Sequence, residues 1–154
     1  MYVSDQSFGG GTLSWSLLLE NDINPKKDFA AILPAGTQDK VVLAVLKGEA
    51  DAGTVRTDIL EKMNDEGRIR IDDLKVIHPQ KDNFPLLHST KLYPEWAFIA
   101  CQPADKKLQH SLTKVLMLLD ADHEAMKAAE VFKWNRPGKY DAVAECLRRV
   151  ENAN

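Results

Sequence analysis

The sequence predicts an α/β domain with a central, mainly parallel sheet of about five strands, flanked by helices and followed by a helical C-terminal segment. Two patterns lead to this fold class. In the first half of the chain, short apolar runs alternate with segments of helical periodicity, which is typical of a parallel sheet covered on both faces. After residue 105, apolar residues recur almost only at helical spacing. A chain of 154 residues, 44% of them hydrophobic, can bury a core without disulfides or a metal.

The first half is predicted to alternate strands with helices. The apolar runs predicted as strands are residues 1–3, 29–33, 50–55, 74–77 and 85–87. Helices are predicted over residues 12–20, over residues 36–46 and between Thr57 and Gly67. Thr37 and Thr57 stand where helix N-caps are expected, and Gly48 stands where a C-cap is expected. In such folds the loops after the carboxyl ends of the strands form the ligand site.

The second half is predicted to be mostly helical. One strand is expected at residues 97–101, with Cys101 buried in it. Amphipathic helices are expected over residues 105–120, from Asp122 to Phe132 and over residues 140–150. Asp122 is expected to cap the second helix with Phe132 facing inward, and Cys146 is expected on the exposed side of the third. A boundary near Tyr93 would then separate an α/β ligand-binding lobe, residues 1–92, from a crossover strand with a helical segment, residues 93–154.

Composition and spacing exclude several classes of function. A net charge of −3 and a sequence pI near 5.8 argue against a nucleic-acid partner. No apolar run approaches the roughly 20 residues of a membrane helix, and residues 1–5 do not resemble a signal peptide. The histidines and the two cysteines lack the spacing of zinc sites, and no Gly-x-Ser-x-Gly elbow is present. We therefore expect no catalytic residues, no metal, no cofactor, and unpaired cysteines.

The loop of residues 7–12, with three consecutive glycines, is the most informative stretch. Glycines allow close approach to the backbone, and the amides at the start of the following helix form a natural seat for an anion. The loop matches neither a Walker A motif nor a Gly-x-Gly-x-x-Gly motif, so it does not indicate a nucleotide. A plain strand-to-helix turn with Ser7 as a local cap explains the same residues.

Two further strand-end loops carry polar side chains that suit a small ligand. Gln38 follows Thr37 at the start of a predicted helix and is free of a capping role. Arg56 suits a bidentate contact with an oxyanion, although a solvated arginine is the ordinary alternative. Asp58 either pairs with Arg56 or binds a ligand amine. His88 stands at the end of another predicted strand and is the histidine best placed for a ligand.

Several segments together resemble one family. Residues 7–10 (SFGG) resemble the glycine turn of phosphonate-type periplasmic solute-binding proteins, and residues 36–39 (GTQD) are similar to its Gly-x-His-Asp turn, with Gln38 in place of histidine. Residues 44–53 (AVLKGEADAG) are similar to a third segment of that family. Residues 51–60 (DAGTVRTDIL) and 84–96 (FPLLHSTKLYPEW) resemble the extracytoplasmic sensor regions of histidine kinases of the tetrathionate-sensor type. The tail, with Trp134, Pro137, Tyr140 and Val143, is similar to the ending of that group.

The resemblance implies a type 2 periplasmic-binding fold, of which this chain supplies one lobe and C-terminal helices that belong to the partner lobe. It also implies that the chain is a fragment of a larger sensor protein, which reaches the membrane only through flanking segments. The ligand-binding positions implied are Ser7, Phe8, Gly9, Gly10, Gln38, Arg56, Thr57, Asp58, His88 and Ser89. Gln38 in place of histidine removes a titratable partner for a phosphonate.

The function implied is periplasmic binding and sensing of a small anionic solute, for a sensor histidine kinase or a similar signalling protein. The alternative is the solute-binding component of an ABC transporter for phosphonate-like oxyanions. The exposed apolar faces expected on helices 105–120 and 140–150 suggest a homodimer, because large bare apolar patches are rare on monomers. With half a cleft, the fragment is expected to bind its ligand weakly.

Overall fold

A computed structural model describes residues 1–94 and 97–153. Glu95 and Trp96, which end the 84–96 string quoted above, lie outside the described residues. The chain forms two compact units. The first, here the main unit, comprises Met1–Tyr93 together with Asp141–Asn154, and the second comprises Pro94–Tyr140.

The predicted parallel sheet is wrong, because the described residues contain no β-strand and their regular structure is helical. The only strand-like pairing among them is an isolated parallel bridge between Tyr2 and Pro34. A strand in a parallel sheet needs successive ladder partners and cover on both faces. The apolar runs that were expected to be buried strands lack that cover, since Leu33 is 45% exposed and Ile99 is 75% exposed.

The first three residues nevertheless lie between two extended segments. On one side, the Tyr2 amide donates to the Leu33 carbonyl at 3.1 Å. On the other, the Thr54 amide donates to the Met1 carbonyl at 3.0 Å. Pairing ends at once because the Val3 amide donates to the Gly10 carbonyl instead, and Gly36 leaves the extended region with φ 82°. These few hydrogen bonds bring the loops that follow residues 3, 36 and 54 close together.

The described residues of the main unit form five α-helices, and four of them confirm helices predicted from the spacing. They are α1 (Leu13–Glu20), α2 (Pro25–Asp28), α3 (Gln38–Leu46), α4 (Ile59–Asp65) and, at the C-terminal end of the chain, α7 (Asp141–Asn152). A π-helical turn, Phe8–Thr12, leads directly into α1. As predicted, α3 is closed by Gly48, whose φ is 71°, and α4 is followed by Gly67, whose φ is 67°.

The core of the main unit lies between α3 and α4. Val42 from α3 packs with Met63 from α4 and with Ile69, and all three are buried. The partly buried side chains around them are Leu43, Leu46, Val55, Ile59, Leu60 and Leu74. Apolar burial of this kind stabilises the unit by about 25 cal/mol for each Å² removed from water. The core therefore fixes the ends of α3 and α4 that carry Gln38 and Asp58.

Helix α7 packs against α1 and the π-helical turn. Cys146 of α7 is fully buried, with its Sγ 3.9 Å from the Thr12 carbonyl oxygen. Arg149 donates to the buried Ser16 hydroxyl at 2.7 Å and forms ion pairs with Glu20 and Glu145. Burial raises the pKa of the Cys146 thiol, so the thiol stays protonated and unreactive at neutral pH.

The second unit contains α5 (Lys106–Leu118) and α6 (Glu124–Ala128). The Asp105 side chain caps α5 by accepting from the Lys107 amide at 2.8 Å. Along α5 the side chains of Leu108, Val115 and Leu118 are 61%, 57% and 83% exposed. The second predicted helix is shorter than expected, because His123 rather than Asp122 caps it and Phe132, expected inward, is 82% exposed.

Both cysteines are free, as predicted, but their burial is the reverse of what was expected. Cys101 is exposed, because the run that carries it forms no covered strand. Among the described residues, no helix combines the length and the apolarity that crossing a bilayer requires.

Candidate functional site

The glycine-rich turn is held in shape by hydrogen bonds from its own segment and from the segment that carries Thr54. Ser7 precedes the π-helical turn, and its Oγ accepts from the Gly10 amide at 3.2 Å. The Gly10 carbonyl accepts from the Val3 amide at 3.3 Å and from the Thr54 hydroxyl at 2.9 Å. Gly10 is buried, and both its amide and its carbonyl are hydrogen-bonded. The amides before it, at the start of a helix, have no partner within the helix, which is the usual geometry of an anion seat.

Two of the three glycines are required by close packing. A Cβ at Gly11 would lie 2.6 Å from the Ser4 carbonyl oxygen, and a Cβ at Gly10 would lie 2.7 Å from Val3 Cγ2. Gly9 is different, because a Cβ there would lie 3.7 Å from Arg56 Cγ, an ordinary contact. Gly9 is half-buried and lies beside the Arg56 side chain, so its backbone is the part of the turn that a ligand can approach.

Gln38 joins two of the predicted loops. Its Oε1 accepts from the Arg56 amide at 3.0 Å, and a Cβ at Gly10 would lie 3.3 Å from the same oxygen. The residue that the sequence suggested as a ligand contact thus holds the backbone of Arg56 against the glycine turn. Thr37, at the N-cap position of α3, donates from its hydroxyl to Asp39 at 2.6 Å instead of capping the helix.

Arg56 and Asp58 form a bidentate ion pair. Arg56 Nε lies 3.0 Å from Asp58 Oδ1, and its terminal nitrogen lies 2.8 Å from Asp58 Oδ2. The Arg56 side chain is 48% exposed and that of Asp58 is 32% exposed. Of the two roles that the sequence left open for Asp58, the structure shows the pairing with Arg56. Asp58, not Thr57, occupies the N-cap position of α4, and no side chain caps that helix.

The structure brings together most of the sequence-predicted positions. The residues in this group, here the glycine–arginine site, are Ser7, Phe8, Gly9, Gly10, Gln38, Arg56, Thr57 and Asp58. The charged groups in it are one guanidinium and one carboxylate, so the site has no formal net charge. Its ability to attract an anion therefore depends on the backbone amides and on how the N–H donors of Arg56 are divided between Asp58 and the anion.

His88 and Ser89 belong to a different part of the main unit. The His88 side chain is 4% exposed, with Nδ1 2.9 Å from the Leu86 carbonyl oxygen and Nε2 3.2 Å from Asp82 Oδ2. Hydrogen bonds from the Phe84 amide and then from His88 hold the pKa of Asp82 below its usual value. The Ser89 hydroxyl donates to the Ile77 carbonyl at 2.7 Å. Both side chains are thus engaged within the loop of residues 77–89.

Two surface depressions in the described part of the main unit contain predicted residues. One, of about 300 Å³, is lined by Gln38, Met63 and Arg68, among others. The other, of about 190 Å³, is lined by Ser89, Leu17 and Tyr93, among others. Neither depression includes Arg56 or the three glycines. No group of acidic, histidine or cysteine side chains among the described residues is arranged to hold a metal ion.

Sequence reasoning missed two residues that shape the glycine–arginine site. Thr54 donates to the Gly10 carbonyl and so joins the Arg56 segment to the glycine turn. The Tyr93 ring stacks edge-on against Phe8, with ring centroids 5.9 Å apart. The position of Thr54, two residues before Arg56 in the same loop, was the available indication. Nothing in the sequence pattern indicated the contact of Tyr93, because the two residues are far apart along the chain.

Comparison with known proteins gives one family and one curated relative. The sequence model of the family described as the periplasmic substrate-binding protein of phosphonate ABC transporters matches residues 1–142. The tetrathionate sensor histidine kinase TtrS of Salmonella typhimurium is 28% identical over 148 residues. That match covers 96% of this chain but only 24% of the kinase, so the chain spans about a quarter of the length of its relative. No solved structure gives a significant match.

Proposed function

The chain belongs to the family of periplasmic substrate-binding proteins of phosphonate ABC transporters, and we propose that it binds a small oxyanion as the extracytoplasmic sensing domain of a signalling protein. The binding of a solute and the periplasmic setting belong to the family as described. The anionic nature of the solute, the sensing role and the signalling partner are the proposal. The family is defined by binding rather than by a reaction, which supports a non-catalytic role for this chain.

The observation that carries the proposal is the convergence of Arg56 with the glycine turn. Arg56 lies along Gly9, and Gln38 holds its backbone in that position. An oxyanion at Gly9 would accept hydrogen bonds from helix-start amides and from a guanidinium together, and hydrogen bonds to a charged group are about twice as strong as neutral ones. Ser7, Phe8, Gly10, Thr57 and Asp58 surround this position, whereas His88 and Ser89 support it less, since their side chains are engaged elsewhere.

The similarity to the sensor histidine kinase favours a role in sensing rather than in transport. The kinase is named as a tetrathionate sensor, and the similarity to it covers nearly all of this chain. The alternative, a solute-binding component of an ABC importer for phosphonate-like oxyanions, is favoured by the family description. The sequence of the complete gene separates the two. A membrane span followed by a kinase module supports the sensor, and a chain without either supports the importer.

Replacing Arg56 tests the site directly. Arg56→Gln should weaken the binding of methylphosphonate and of tetrathionate by about tenfold or more, because a charge-assisted hydrogen-bonding pair is lost. Isothermal titration of the purified chain measures the effect. Arg68→Gln is the matched control, since Arg68 is similarly exposed and also paired with carboxylates, those of Asp39 and Glu66. An equal loss of affinity in both variants would contradict the assignment of Arg56.

We also propose that copies of the chain associate through α5. Leu108, Leu112 and Val115 lie on this helix, and all three are exposed. Helix α7, which was expected to contribute to the same contact, instead packs against α1, with Cys146 fully buried. The apolar face of α5 is therefore the better candidate for a dimer contact.

A further inference from the structure

The Arg56–Asp58 pair occupies the part of Arg56 that an oxyanion would use. The planar guanidinium offers a fork of N–H donors that matches a carboxylate, a phosphonate or a sulfonate in the same bidentate way. Asp58 already fills one edge of this fork, at 3.0 Å and 2.8 Å. A bound oxyanion that takes the same edge must therefore displace the Asp58 carboxylate.

Local structure does not explain why residue 58 is acidic. Aspartate at an N-cap ordinarily accepts a hydrogen bond from the first turn of the helix, but the Asp58 side chain makes no such bond to α4. Its φ of 89° favours glycine and, after glycine, asparagine as well as aspartate, so the backbone does not require a charged side chain there. The interaction of the carboxylate that the structure shows is the one with Arg56.

The pair is exposed enough to be exchanged. Ion pairs at the surface contribute little stability, so a ligand can displace Asp58 from Arg56 without unfolding the loop. The displaced carboxylate stays attached to the chain two residues away, and it repels the bound anion. Because the Coulomb energy scales with the product of the charges, a doubly charged ligand is repelled about twice as strongly as a singly charged one.

We infer that the Asp58 carboxylate competes with the bound oxyanion for Arg56, and that it lowers the affinity for doubly charged ligands more than for singly charged ones. The inference rests on the proposed function, since it concerns the same glycine–arginine site. Asp58 is then a determinant of specificity that acts by exclusion.

Removal of the Asp58 charge tests the inference. Two probes of the same shape are used at about pH 8.5, methanesulfonate with one charge and methylphosphonate with mainly two. Asp58→Asn should tighten the binding of methanesulfonate about threefold and that of methylphosphonate about tenfold. Asp58→Gly, which suits the positive φ and keeps the loop folded, should change both affinities in the same direction.

The control is Glu66→Gln, which removes the same charge from a carboxylate that pairs with Arg68 rather than Arg56. It should leave both affinities within about twofold. If the wild-type chain binds the probes but both Asp58 variants bind no more tightly, or gain equally for the two probes, the inference is wrong while the proposed function stands. If the wild-type chain binds neither probe, the proposed function fails and the inference fails with it.

Discussion

At the scale of single residues, the three glycines of the turn have different tasks. Residue 11 must be glycine, because the Ser4 carbonyl oxygen leaves no room for a Cβ there. At Gly9, by contrast, there is space for a Cβ beside Arg56. Packing therefore requires glycine at position 11, and we propose that glycine at position 9 keeps the backbone open to a ligand. The run of glycines predicted a special turn, but only the packing around each residue separates the two tasks.

Alanine substitutions should separate these tasks experimentally. Gly11→Ala should lower the free energy of unfolding by about 1–3 kcal/mol, because its Cβ would overlap a backbone oxygen that cannot move aside. Gly9→Ala should change stability by less than about 0.5 kcal/mol. Urea unfolding followed by circular dichroism measures both. Equal destabilisation by the two variants would contradict the packing described here.

Some of the ligand-site residues expected from residue type alone lie together in the structure, and others do not. Arg56 and the glycines come together because the hydrogen bonds of residues 1–3 draw their loops into contact. His88 looked suitable at a strand end, but no strand forms there and the side chain packs edge-on against Phe84, with ring centroids 5.3 Å apart. The expected burial of Cys101 and exposure of Cys146 were likewise wrong. Cys101 is exposed and Cys146 is buried, because burial depends on which faces meet in three dimensions.

At the scale of elements, helices were predictable and the sheet was not. Helix α3 begins and ends where its apolar spacing and glycine C-cap predict, because these determinants are local. An apolar run such as residues 29–33 predicts only that burial would be favourable, and the partners that would make it a strand come from distant parts of the chain. Its exposed Phe29 and Leu33 show that those partners are not supplied here.

The contact between α1 and α7 depends on Arg149. Arg149→Met should destabilise the main unit by about 1–2 kcal/mol, because the buried Ser16 hydroxyl loses the guanidinium that donates to it and Glu20 loses an ion pair. In the double variant with Ser16→Ala, part of this loss should be recovered, which a double-mutant cycle in urea unfolding measures. Arg148→Met, on the exposed side of the same helix, is the control. Strictly additive effects of the two substitutions would show that the contact does not couple the helices.

At the scale of the whole molecule, the chain belongs to the family that its motifs resemble, but the described residues do not show the fold that the resemblance implied. The similarity spans most of the chain, yet the described residues form two helical units without a sheet. Short motifs such as the glycine turn do not need surrounding strands for their local geometry, because capping and tight turns depend on neighbouring residues. The resemblance was therefore a good guide to family and a poor guide to the sheet.

Self-association belongs to this scale as well. The chain should form dimers that Leu112→Glu or Val115→Glu disrupts, because a charge in an apolar contact is costly to bury. Both residues are exposed, so the substitutions should leave the unfolding free energy within about 0.5 kcal/mol. Sedimentation velocity over a range of concentrations measures the association. A chain that stays monomeric at every concentration, or dimers unaffected by either substitution, would contradict the proposed role of α5.

The most direct test of the glycine–arginine site is to map where an oxyanion binds. Methylphosphonate is titrated into the isotopically labelled chain while the backbone amide and arginine Nε resonances are followed by nuclear magnetic resonance, which detects weak binding as well as strong. The amides of Phe8 and Gly9 and the Nε group of Arg56 should shift together with one dissociation constant. Shifts confined to the depression around Leu17 and Tyr93, or no shifts at saturating methylphosphonate, would contradict the site.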